Sequence, residues 1–297
     1  MIESPSSIAA HITPGGTHLL PALPRGAALR GRQILAVVRL ELRKSFLRPG
    51  ALPVVFLAAA PVALLLARAI FYSSFHHNDG TSIQNDTAAA ANIYQAFVLR
   101  LGIFFGSVGI FTHLFRGEIL GRTLHHYFLA PMPRSVLVVG KYLAGLLASW
   151  LLFLPTTALI FWLVYLPHGE AGSEYLRHGA GFGQLLAYLS VTALACLGYG
   201  AVFLTAGLIF RNPFVPAAAV FGWEFINFLL PPMLKKISVL HYLLSLCPVA
   251  IERGPFSFPG EPAAAWVAVS GVLALSVALV WLAAWHAGRS EVLYGGE

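Results

Sequence analysis

The chain has 297 residues, 58% of them hydrophobic and only 10% charged, with a formal net charge of +7. A soluble domain carries about 25% charged residues, so an ordinary soluble protein is excluded and most of the chain belongs in lipid. The basic residues gather at the edges of apolar runs; anionic headgroups and the positive-inside rule explain that better than nucleic acid, for which no motif is present.

Residues 1–28 are rich in Pro, Gly and Ser and lack the basic start and apolar centre of a signal peptide. They read as a flexible cytoplasmic tail. Residues 29–48 read as an amphipathic interfacial helix. Ile34, Val38, Leu42 and Phe46 recur every four residues, with Leu35 beside them, among Arg32, Arg39, Arg43 and Lys44. Pro49-Gly50 ends it.

A helical crossing needs about 20 apolar residues. The pattern over 49–290 predicts an all-α polytopic domain of six transmembrane helices. They fall near Leu52–Phe71, Tyr94–Phe115, Val136–Leu166, Phe182–Phe210, Phe214–Leu234 and Ala263–His286. The segment "ISVLHYLLSLCPVAI" before the sixth is apolar but short, which predicts a re-entrant or interfacial helix. Residues 291–297 read as a cytoplasmic C-terminal tail. Lys and Arg bias places both termini and the Arg116–Gly145 hairpin in the cytoplasm, the protein being multi-pass in the cytoplasmic (inner) membrane.

The sequence holds no Walker A pattern, nucleophile elbow or HExxH. Cys196 and Cys247 form neither a metal spacing nor a disulfide framework. No catalytic, cofactor-binding or metal site is predicted. Two charges stand inside apolar runs: Arg100, toward the outer end of the second span, and Glu224, near the middle of the fifth. A charge at the bilayer centre costs about 2.5–3.5 kcal/mol on insertion scales. For Glu224 two readings stand side by side: a conduit or subunit contact, and a structural ion pair or neutral acid. Asn227 shares its helix face. Arg100 reads first as a snorkelling residue. Gly102, Gly106 and Gly109 space small residues along the second span, which suits close helix packing.

The hairpin carries the most specific pattern. Glu118, Gly121, Arg122 and Thr123 precede "LHHYFLA"; Pro131 and Pro133 end that run; Arg134 and Ser135 restart a helix through Gly140-Lys141. This resembles the permease subunits of ABC-2-type ATP-binding-cassette exporters. Their pattern is a Glu, then Gly-Thr or Arg-Thr, a short leucine-rich helix, Pro, Ser/Arg, and a Gly-Lys pair opening the next span. Glu118, Arg122, Thr123, Leu129, Pro131, Arg134, Gly140 and Lys141 match it; His125-His126-Tyr127 departs from the commoner acidic and leucine residues. The resemblance runs from about Arg30 to the C-terminus. It implies that the hairpin is a coupling helix, docked through residues such as Leu124, Phe128 and Leu129 on a separate nucleotide-binding ATPase subunit. ATP and Mg would sit on that partner, and none on this chain. It further implies a second permease copy, identical or similar, and outward movement of an unknown small amphipathic or hydrophobic substrate. The alternatives are a non-transporting membrane scaffold or assembly subunit and a proton-coupled secondary transporter. The second usually shows inverted repeats, and none is clear here.

Overall fold

The computed structural model describes residues 26–47, 51–75, 83–120, 132–210, 212, 214–226, 234, 238–249, 251 and 262–289. All regular structure among them is helical: α1 (Ala27–Leu47), α2 (Leu52–Phe75), α3 (Ile83–Ile93), a π-helical segment (Tyr94–Ile103), α4 (Phe104–Leu120), α5 (Arg134–Tyr165), α6 (Gly169–His178), α7 (Gly181–Ile209), α8 (Phe214–Ile226), α9 (Val239–Ser245) and α10 (Ala265–Arg289). A 3₁₀ turn, Leu166–His168, joins α5 to α6. Five apolar stretches are long enough to cross a membrane: Leu52–Phe71, Ile83–Phe115, Arg134–His178, Gly181–Ile209 and Ala265–Arg289.

The first, third, fourth and sixth expected spans correspond to α2, α5, α7 and α10. The second begins eleven residues earlier than expected, because α3 runs continuously into the π segment. Its polar sequence, "IQNDTAAAANI", hides it from a hydropathy window. The fifth expected span is represented by α8, of 13 residues, which rises about 20 Å, short of a hydrocarbon core of about 30 Å. Residues 227–233 lie outside the described residues. The expected interfacial helix is half its predicted length: α9 has seven residues and gives way to a turn at Leu246. Pro248 disfavours a helical Cys247, so the helix ends before it. α6 was not anticipated at all.

α7 forms the centre of the bundle, packed against α4, α5 and α10, and α5 also receives α1 and α2. Close approach is bought at glycines. Phe111 of α4 is fully buried, wedged between Gly145 and Gly200, where an added Cβ would stand 2.6 Å and 2.5 Å from its ring. Gly106 likewise receives the ring of Phe153, as the glycine spacing predicts.

Two ionic clusters mark the ends of the bundle. At the far end, buried Asp86 accepts from Arg68 at 2.8 Å and lies 2.8 Å from His168 Nε2, joining α3, α2 and the turn after α5. At the hairpin end, Lys141 Nζ donates to Glu41 and to the Leu114 carbonyl. From Asp86 to Leu114 the helix rises roughly 40 Å at about 1.5 Å per residue, which matches a bilayer with its headgroups. Trp162, Trp266, Trp281 and Trp285 are exposed on α5 and α10, as interfacial tryptophans are. Trp150, mid-helix, instead donates to the Ala193 carbonyl at 3.2 Å.

Candidate functional site

The hairpin base is built by three helices converging on α5. α1 lays Val37 and Val38 on the start of α5. Gly140 makes room for this, since a Cβ there would meet Val37 at 2.8 Å. Leu35, expected on the apolar stripe, is 49% exposed, and buried Glu41 lies within the packed face instead. The reason is Lys141. Its ammonium has no exposed surface and sits 3.0 Å from Glu41 Oε1 and 2.8 Å from the Leu114 carbonyl, over the ring of Phe115. Lys44 approaches the same carboxylate at 3.5 Å. A buried ammonium needs a paired charge and further acceptors; α1 and α4 supply them. One side chain thereby fastens α1, α4 and α5 together.

Arg134, at the first turn of α5, makes a second fastening. Its Nη1 donates to the carbonyls of Ala287 at 3.1 Å and Gly288 at 3.4 Å. These are last-turn carbonyls of α10, the groups a helix leaves without intrahelical donors and which a cation satisfies well. Arg134 and Lys141 are therefore both turned into the bundle. Glu118 falls in the last turn of α4, its side chain beyond description. Gly121, Arg122, Thr123, Leu124, Phe128, Leu129 and Pro131 lie outside the described residues, as does Asn227.

The second constellation sits halfway along the bundle. Arg100 is midway in sequence between Asp86 and Leu114, which corrects its expected place near the outer end of a span; snorkelling from this depth would have to bridge half a bilayer. It belongs to the π-helical segment, a geometry that occurs often at functional sites. Arg100 and Glu224 line one pocket of about 120 Å³ with Phe104, Tyr199, Phe221 and Phe225. The aromatic wall is continuous: Phe104 meets Tyr199 at 5.2 Å and Phe221 at 5.4 Å between ring centres.

Glu224 does more than line the pocket. Its carboxylate accepts from the Ser238 hydroxyl and from the backbone N–H groups of Val239, at 3.1 Å, and Leu240, at 3.5 Å. Ser238 itself accepts from His241 N–H at 3.1 Å. Glu224 and Ser238 together cap α9 and hold α8 to it. The cap belongs to the structural alternative for Glu224, and the pocket to the functional one; the same side chain serves both. Glu224→Ala is expected to lower stability by about 1–3 kcal/mol. Glu224→Gln keeps an acceptor for Val239 N–H and should cost less. Thermal unfolding in detergent distinguishes the two, and equal losses would remove the cap from the account.

On the side of the pocket away from the hairpin runs a buried hydroxyl chain. Tyr94 and Thr192 hydroxyls are 2.9 Å apart, and Thr192 and Thr157 are 3.1 Å apart. Gln95 donates to the Val249 carbonyl at 2.7 Å. These contacts hold the π segment against α5, α7 and the segment after α9. No group of three or more metal-ligating side chains occurs among the described residues.

Sequence reasoning missed Glu41, Asp86, His168 and Ser238. Glu41 did carry a signal: it is the one acid in α1 and falls on the stripe of Ile34 and Val38. Ser238 and Asp86 are separated in sequence from the groups that use them, and no spacing reveals them. Comparison with known proteins finds no matching family model and no matching curated protein.

Proposed function

We propose that this chain is the membrane-spanning permease subunit of an ABC-2-type ATP-binding-cassette exporter, working with a separate nucleotide-binding ATPase and a second permease copy. Six crossings, with the fifth completed beyond α8, and cytoplasmic termini in the inner membrane belong to this reading. The observation that carries it is the fastening of the hairpin base. Lys141 ties α5 to α1 and α4, and Arg134 ties it to α10. A push on the hairpin would then reach four helices as one body, as a coupling lever requires. Motion of the π segment and α8 against each other would open or close the pocket between them. ATP and Mg would bind the ATPase, where the resemblance puts them.

The test is co-purification. With its neighbouring genes expressed, an ATPase should co-elute from mild detergent. Leu124→Asp, Phe128→Asp and Leu129→Asp together should abolish co-elution while the permease stays in the membrane. Undiminished co-elution would sink the coupling-helix reading. The mid-depth pair of Arg100 and Glu224 favours a proton-coupled transporter as the second reading. Transport that survives ATP depletion but ends with the proton gradient would put it first.

A further inference from the structure

α10 carries a stripe that the bundle does not use. Trp281, Trp285 and Arg289 follow one another at four-residue spacing, so they stack on one helix face. All three are exposed, whereas Ala283 and Ala287 are buried against the bundle. From Trp266 to Trp285 α10 rises about 29 Å at about 1.5 Å per residue, close to a hydrocarbon core of about 30 Å. The two tryptophans then stand where aromatic belts form. Arg289, one turn beyond Trp285, stands at the height of the phosphates in the leaflet on the hairpin's side.

Arg289 is held there in a set orientation. Its guanidinium carbon lies 4.0 Å over the ring of Trp285, a cation–π stack. The stack occupies the flat face of the group. The N–H donors lie in its plane, around the edge, in the fork that fits two phosphate oxygens. A second cation comes close by: Arg134 donates to the carbonyls of Ala287 and Gly288, the two residues before Arg289. It thereby covers two carbonyls that would otherwise turn partial negative charge toward an anion. Neither α5 nor α10 contains an Asp or Glu. The nearest acid in sequence, Glu291, lies outside the described residues, and counting it against the two arginines still leaves a positive formal charge.

We infer that the end of α10 binds an anionic phospholipid, its phosphodiester on the edge of Arg289 and its acyl chains along Trp285 and Trp281. A phosphatidylglycerol meets the two cations with an uncompensated negative charge. A phosphatidylcholine brings its own trimethylammonium, which the same cations repel. The stripe is open to lipid along its length, so no enclosed cavity is required. Nothing in this site depends on an ATPase or a transported substrate.

The full chain in mild detergent is titrated separately with dioleoyl phosphatidylglycerol and dioleoyl phosphatidylcholine, and the first bound lipid is followed by native mass spectrometry. The wild type should hold the first phosphatidylglycerol about fivefold more tightly, the scale of one arginine at an anionic lipid surface. Arg289→Gln should bring the two lipids to parity, and Arg289→Lys, which lacks the fork, should keep part of the preference. Trp285→Leu should lower it as well, by releasing the guanidinium from its stack. Arg39→Gln removes the same charge from an exposed position on α1 and should leave the preference as it was. Equal binding by the wild type, or a preference that survives Arg289→Gln, overturns the inference. An equal loss in Arg39→Gln also overturns it, by showing a diffuse attraction in place of a site. Glycerol 1-phosphate in large excess should displace no lipid; displacement would mean that the phosphate alone is recognised, and would overturn the assignment to a lipid.

Discussion

Lys141→Met should destabilise the protein by roughly 3–5 kcal/mol, because removing one partner of a buried pair strands the other. Glu41 would remain buried without that ammonium, and Lys44 beside it is 30% exposed and 3.5 Å away. The Leu114 carbonyl would lose its donor as well. Adding Glu41→Leu should recover most of the loss, since apolar residues of similar volume often replace a buried pair without penalty. Unfolding in mixed micelles, followed for both single variants and the double, reads the coupling directly. A single variant costing under about 1 kcal/mol, or a double that loses the sum of the two, would show that the pair does not hold α1 to α5. The double also separates stability from movement: it should be folded, yet lack the charged link between α1 and the hairpin base.

Phe111→Ala is expected to cost about 3–5 kcal/mol by leaving a cavity at the meeting of α4, α5 and α7. Gly200→Ala approaches the same place from the other side. Its Cβ would stand 2.5 Å from the Phe111 ring, and the fully buried ring has no open side to retreat to, so overpacking of about 1–3 kcal/mol follows. Together the two changes should cost less than their sum, because the new methyl enters the space the ring vacates. Strict additivity in thermal unfolding would mean that Phe111 and Gly200 do not meet.

These two sites also show what was legible beforehand. Long apolar runs announced α2, α5, α7 and α10, since hydropathy over about 20 residues is a local property. The glycines along α4 announced close packing, but not that Phe153 would fill the notch at Gly106. α3 stayed hidden because Gln84, Asn85 and Asp86 look like a loop; they open a helix, where an acid in the first turn is favourable, and Asp86 also meets Arg68 and His168 from other segments. Arg100 was placed too near an end for the same reason. Lys141 was picked out by its motif, and its partners were not, because Glu41 lies a hundred positions away and a carbonyl has no sequence signature. The pocket joining Arg100 to Glu224 is a product of packing between segments more than a hundred residues apart.

The contact of Arg134 with the end of α10 fixes an order of events during biosynthesis. Glu41, Leu114 and Lys141 have all been translated by the time α5 is complete, so their junction can form while α7 and α10 are still being made. The acceptors of Arg134, at Ala287 and Gly288, are translated only 153 and 154 positions after it. Chains are made N-terminus first, and early parts wait for late ones. The hairpin base is therefore closed only once α10 has been made, and a chain cut short before residue 287 would carry a hairpin base whose final clasp was never translated.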